Sequence, residues 1–316
     1  MNLLTKIGSS KEGDKFKEIR FLGDDFTEEK FLGEKVLHKY VDLNYAFRIL
    51  FEKSLWFSNP VEWPDPFEKL PFAIDWNFAK DGKEKEPFLN GAVFCMCLTN
   101  KKVTEAHWKA YSNDQIPVEY RFNRHEFLQQ LSEHYSKDYE IYVGKVEYGN
   151  IDEISMAIAK ALQMNKDLNE GILEWFCKLL LIKRDDFSYE DEIRIILIQK
   201  DKIKEPKKGV PVIFKCDIRE MVNCVVVGPK TPEFVLQGLQ YAFCDPKFGF
   251  APHNGKDIKE GSICASKLYA DLKNEEFGEM VKNGFDLLAS ELKKEGDSIA
   301  DSFMKGGYPD SLLKLK

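Results

Sequence analysis

The spacing of apolar positions along the chain changes character repeatedly, and each change marks an element. Residues 36–40 read as a strand, and Asp42 can cap a following helix over 43–53, in which Leu43, Ala46, Phe47 and Leu50 recur at helical spacing. Residues 55–58 form a second short strand, closed by Asn59-Pro60. The two prolines of Trp63-Pro64-Asp65-Pro66-Phe67 exclude regular pairing there, with Asp65 as a turn former. A buried-type strand over 92–98 precedes a short helix over 103–111 that carries His107, Trp108 and Tyr111. Strands over 118–122 and 141–148 flank a helix over 124–136. Helices over 151–164 and 169–182 lead into strands over 190–199, 210–216 and 222–227 and a helix over 232–243. Short strands mixed with helices, without repeated βαβ units or a Gly-rich phosphate loop, predict an α+β fold and not a Rossmann fold.

The two ends have a different texture. Residues 1–35 are rich in Lys, Glu, Asp and Gly, and read as a leader, either loosely held or packed as a short helix around 27–32. Beyond 250 the chain is polar and Gly-punctuated. An amphipathic helix then runs over 276–292 on Phe277, Met280, Val281, Phe285, Leu288 and Leu292. Its apolar face either folds back on the core or meets a protein partner. The expected organisation is a leader over 1–35, a main domain over 36–250 and a helical extension over 251–316.

Within that frame the most informative stretch is Tyr189-Glu190-Asp191-Glu192-Ile193-Arg194. If the strand begins at Glu190, alternation points Glu190, Glu192 and Arg194 to one face. Two carboxylates on one rigid strand can divide labour between gripping a sugar and serving a nucleophile. They can equally be a charge ladder on a solvated strand face, with Arg194 neutralising its neighbours.

Composition narrows the field further. The chain has 316 residues, enough for a sizeable core, and its 46 basic and 53 acidic residues leave a net charge of −7, so no global field draws it to nucleic acid or membranes. No apolar run approaches the ~18 residues that a spanning helix needs, and residues 1–10 lack a signal-peptide apolar core. The odd, scattered cysteines, several inside apolar runs such as Phe94-Cys95-Met96-Cys97-Leu98, read as reduced core thiols of a cytoplasmic protein, with no metal site. Lys200, Lys202, Lys204, Lys207 and Lys208 form a basic loop, either solvated surface or a contact for nucleic-acid phosphates.

Taken in order, the blocks Leu37-His38-Lys39-Tyr40, Leu55-Trp56-Phe57-Ser58-Asn59-Pro60, Trp63-Pro64-Asp65-Pro66-Phe67, Phe94-Cys95-Met96-Cys97-Leu98, Trp108-Lys109-Ala110-Tyr111 and Tyr189-Glu190-Asp191-Glu192-Ile193-Arg194 resemble a large bacterial family, the domain of unknown function number 2971. The resemblance spans roughly 36–245. That family in turn looks like a branch of the ADP-ribosyltransferase fold, a split β-sheet core with surrounding helices, some of whose members are toxins or phage-defence effectors that modify nucleic acid.

The resemblance implies roles. Lys39 stands where many relatives have His and would contact the adenosine ribose or diphosphate of NAD, with Tyr40 beside it. Ser58 would hold the nicotinamide ribose, and Glu192 would bind its 2′-hydroxyl and stabilise an oxocarbenium-like state. Glu190 would orient or deprotonate the acceptor, while Tyr45, Phe57 and Trp108 would stack on nicotinamide or an acceptor base. The implied activity is NAD-dependent transfer of ADP-ribose to a macromolecule, nucleic acid or protein, with an antitoxin or other protein as a further partner. From the residues themselves, Ser58 also reads as a strand-end hydroxyl capping a turn, and His107 as a structural histidine. The rival reading is a catalytically silent module that binds NAD or another nucleotide in the same groove.

Overall fold

The computed structural model describes residues 16–23, 25–52, 54–74, 91–100, 105–110, 116–167, 172–200, 209–213, 221–244 and 263–265. All lie within 1–265, the first of the two units into which the chain divides. The amphipathic stretch 276–292 and Lys202 to Lys208 lie outside the described residues.

Local chemistry accounts for most of the elements. Strand β1 (Ile19–Leu22) is followed by α1 (Glu28–Gly33), whose first turn is closed by Thr27, its hydroxyl accepting from the Lys30 amide at 3.3 Å. Strand β2 (Val36–Asp42) runs directly into α2 (Leu43–Glu52), and the Asp42 carboxylate accepts from the Tyr45 amide at 2.7 Å. After β3 (Ser54–Ser58) come two 3-10 turns, Pro60–Glu62 and Pro66–Lys69. Each has proline in its first turn and is capped by the side chain before it, Asn59 and Asp65. The short α3 (Leu70–Ala73) follows, then β4 (Val93–Thr99), α4 (Glu105–Ala110), β5 (Pro117–Asn123) and α5 (Arg124–Tyr135), the last capped by Asn123. Next are β6 (Tyr139–Lys145), β7 (Glu147–Gly149), α6 (Ile151–Asp167), α7 (Ile172–Leu179) and β8 (Ile182–Arg184). A 3-10 turn, Asp185–Glu190, leads into β9 (Glu192–Gln199). The rest comprises β10 (Gly209–Ile213), β11 (Val222–Val227), the helix Glu233–Cys244 and β12 (Ile263–Ala265).

The α+β expectation holds. Among the described residues, ten strands form one mixed sheet in the order β1-β6-β9-β4-β2-β5-β11-β12, with β3 joined to β4 and β10 to β3; β7 and β8 pair separately. The pairs β1/β6 and β11/β12 are parallel and the other pairs in the large sheet antiparallel. One edge of β4 lies along β9 throughout. The other edge forks: Thr99 pairs with His38 of β2, while Cys95 pairs with Ser58 of β3. The sheet therefore divides at the middle of β4.

The sheet is buried on both faces. One core gathers Leu37, Val41, Phe94, Met96, Tyr120, Phe122, Ile193 and Ile195 with apolar residues of α1, α2 and α5. The second gathers Val93, Cys95, Tyr142, Ile196 and Ile198 with α6 and α7. Strands covered on both sides read as continuous apolar runs, as 195–198 does.

Several boundaries differ from the sequence pattern. The strand expected from Glu190 starts at Glu192, because Asp191 adopts a left-handed conformation (φ 42°) that ends the 3-10 turn and breaks alternation. Glu190 and Glu192 therefore do not share a strand. The single strand expected over 141–148 is two, in different sheets, and the helix expected over 169–182 ends at Leu179, with β8 beginning at Ile182. Strands β1 and β12 went unmarked, since four- and three-residue runs show too little periodicity.

Gly144 of β6 faces Arg194 across the ladder, and Leu181 packs where its side chain would be. Gly144→Ala must displace Leu181 and should destabilise the protein by about 1–3 kcal/mol, read as a lowered midpoint in chemical denaturation.

Candidate active site

The sheet face opposite α2 and α5 carries an uncommon density of buried charge. Glu192 opens β9 and is 2% exposed; Arg194, two residues on and fully buried, shares its face. The Arg194 guanidinium grips that carboxylate through Nε at 2.6 Å and a second N–H at 3.2 Å. It also donates to the Leu180 carbonyl at 2.5 Å and to Glu68 from the second proline-led turn, and its Cζ lies 4.7 Å from the Trp63 ring centroid. Lys183 of β8 enters from the other side, its ammonium 2.7 Å from Glu190, 3.4 Å from Glu192 and 3.8 Å from Glu68. Three carboxylates thus share two cations. The Glu192 amide donates to the Tyr148 hydroxyl at 2.9 Å, which fixes the start of the strand.

These contacts push the two glutamates apart electrostatically. Burial by itself would raise the Glu192 carboxyl, but Arg194, Lys183 and the Cys97 thiol, which donates to it, hold it down at about 2. Burial raises the Glu190 carboxyl above its ordinary range, against the pull of Lys183. One member of the pair is thereby kept ionised while the other holds a proton more readily, the division that acid–base sites use.

The depressed Glu192 value has a stability consequence. A carboxyl ionises near 4.3 in the unfolded chain, so the folded form binds fewer protons below that point. The stabilisation is present above about pH 4.3 and is lost as pH falls through about 2. Denaturant midpoints should decline across that window in the parent protein and decline less in Glu192→Gln.

The fork in β4 brings the other expected residues near. Lys39 pairs with Tyr120 and so leaves β2 on the face opposite His38 and Tyr40, yet its Nζ reaches the Cys97 carbonyl at 3.2 Å. Burial lowers its ammonium from the usual lysine range, while Cys97 and Glu192 act to raise it. Ser58, on the other limb of the fork, accepts from Trp63 Nε1 at 2.7 Å and lies 3.5 Å from the Cys95 carbonyl. Turn capping falls to Asn59 instead. Lys39, Ser58 and Glu192 are thus gathered around Cys95 to Thr99 of a single strand.

The aromatic candidates are placed differently from one another. Tyr40 stacks on His107 at 5.0 Å and meets Trp108 edge-on at 5.4 Å, and His107 in turn contacts Tyr189. This cluster covers the site from α4, and His107 Nε2 lies 3.5 Å from the Glu190 carbonyl. Tyr45 and Phe57 do not join it. The Tyr45 hydroxyl accepts from the Trp56 amide at 2.7 Å, tying α2 to β3, and Phe57 is fully buried in the opposite core, so neither offers a stacking face here.

Glu68 and Lys183 were missed in the sequence. Each had a faint signal: Glu68 follows the Asp65-Pro66-Phe67 turn directly, and Lys183 ends the apolar run 179–182. Neither reveals its partner, because they lie 115 residues apart and meet only through the packing of β8 on the proline-led turn. Asp65, expected as a turn former, caps the Phe67 amide at 3.0 Å and also binds Arg184 at 3.2 Å.

Among the described residues, no helix is long and apolar enough to cross a membrane. No curated protein and no solved structure matches the chain. A family model does match residues 107–195, which run from the aromatic helix α4 to Ile195 and include both glutamates. Over that stretch the chain is similar to the family described as a protein of unknown function (DUF2971).

Proposed function

We propose that the protein is an ADP-ribosyltransferase that cleaves NAD and transfers ADP-ribose to a macromolecular acceptor, as a toxin or phage-defence effector would. The observation that carries this reading is the buried Glu192 carboxylate, gripped by Arg194 at the head of β9, beside the fork where Lys39 and Ser58 approach. Breaking the bond between C1′ and nicotinamide develops positive charge on the ribose, and a fixed carboxylate in a water-poor site stabilises that charge. Glu192 does so here and accepts from the 2′-hydroxyl. Lys39 spends one N–H on Cys97 among the described residues, leaving donors for a diphosphate. Ser58 supports the nicotinamide ribose, Tyr40 and Trp108 supply ring faces, and Glu190 orients the acceptor. Transfer of label from NAD to total cellular RNA, DNA or protein, with release of nicotinamide, is the expected result. Absence of both would overturn it.

A second reading has its own support. Both Glu192 oxygens are already engaged, by Arg194 and Lys183, which suits a silent NAD- or nucleotide-binding module. Calorimetric NAD binding without nicotinamide release would select it.

A further inference from the structure

A second buried acid–base pair shares this sheet face and is used by none of the roles above. His38 of β2 is 8% exposed, and its Nδ1 lies 2.5 Å from Oε1 of the fully buried Glu119 on β5. Arg121 holds the same carboxylate at 2.9 and 3.1 Å, and burial, which would raise Glu119, is outweighed by His38 and Arg121, so it stays ionised. A buried carboxylate on Nδ1 fixes the ring orientation and its tautomer, leaving Nε2 as the working nitrogen. No contact among the described residues occupies Nε2.

The pair is also in position. His38 lies directly opposite Thr99 on β4, and Thr99 lies directly opposite Glu192 on β9. Directly paired residues of antiparallel strands point to one face, so His38 and Glu192 flank Thr99 in a single row. Their Cα atoms are about 10 Å apart, two interstrand spacings of ~4.8 Å. The charged groups around His38 are Glu119 and Arg121 on β5 and Glu192 on β9; α4 covers the row with His107 and Trp108, next to Tyr40.

We propose that His38, oriented by Glu119, is the general base that takes the acceptor's proton. This rests on the ADP-ribosyl transfer reading above. The acceptor O–H or N–H attacks C1′; its lone pair forms the new bond as the bond to nicotinamide breaks, nicotinamide leaves neutral, and the proton passes to His38 Nε2. Glu190 is less suited to that step, because its carboxylate is held by Lys183 at 2.7 Å.

The test uses the full chain and NAD, comparing water with azide as the nucleophile. Azide has no proton to lose and needs no base. In His38→Gln, nicotinamide release with water should fall by about 10²–10⁴-fold, with calorimetric NAD binding retained and the azide reaction within about threefold of the parent protein. Glu119 keeps Arg121 in that variant, so its charge stays paired. Glu119→Gln, which leaves the imidazole in place, should slow the water reaction by about tenfold and spare the azide reaction. Equal loss with water and azide, or no loss with water, overturns the base assignment while the transferase reading stands. A parent protein that releases no nicotinamide with either nucleophile overturns both.

Discussion

Arg194→Met should destabilise the protein by about 3–5 kcal/mol, the cost of stranding buried charge when one partner of a buried network is removed. The guanidinium is fully buried and neutralises Glu192 and Glu68 while bonding the Leu180 carbonyl. Methionine fills much of the volume but leaves three carboxylates to a single cation, Lys183. The loss should be greatest at neutral pH and shrink toward pH 4, where the stranded carboxyls can take up protons. Denaturant titrations at the two pH values measure both effects; a midpoint unchanged at neutral pH would show that the network is not neutralised through Arg194.

Glu192→Gln should lower NAD turnover by at least about 10²–10³-fold, the usual consequence of removing one preorganised group that meets developing charge. The amide keeps the shape of the side chain and can still accept from Arg194, so a folded protein that binds NAD is expected. Nicotinamide release, far-UV circular dichroism and calorimetry with NAD together separate chemistry from folding. Turnover near that of the parent protein would remove Glu192 from the mechanism and with it the transferase reading. Glu190→Gln should have a smaller effect on nicotinamide release, because Glu190 meets the acceptor and not the sugar.

Arg194 and Glu192 also show how much of the site was visible in the chain. The β-like run over 193–198 announced a strand, and a Glu and an Arg two apart at its head had to share a face by alternation alone. Their pairing is a local fact, and the sequence contains it. Glu190 shows the limit. Its spacing from Glu192 suggested a common strand, but Asp191 turns left-handed and ends a 3-10 turn there. The carboxylates still meet, through Lys183. No periodicity signals that contact, since it depends on β8 returning beside the turn.

His38 and Lys39 make the same point from one strand. Alternation sends them to opposite faces, and the sequence states this plainly. Which face holds the chemistry is a different matter. Lys39 comes within reach of the Cys97 carbonyl where β2 and β3 part along β4, and His38 finds Glu119 across a strand pair that joins residues 81 apart. Phe57 and Tyr45 looked like ligand-stacking aromatics by type and place, and packing turned the first into core and the second into a strand anchor.

By itself, then, the sequence determined where most of the helices and strands lie, which way neighbouring side chains point within a strand, and that one strand head carries paired opposite charges. These follow from interactions within a few residues, where backbone geometry leaves few choices. Only the tertiary structure decided that β4 forks, that Glu68 and Lys183 complete the charge network, and that His38, bound to Glu119, stands in the same row as Glu192. Those contacts join segments far apart in the chain, and their partners are selected by how buried charge is neutralised once the two cores have closed.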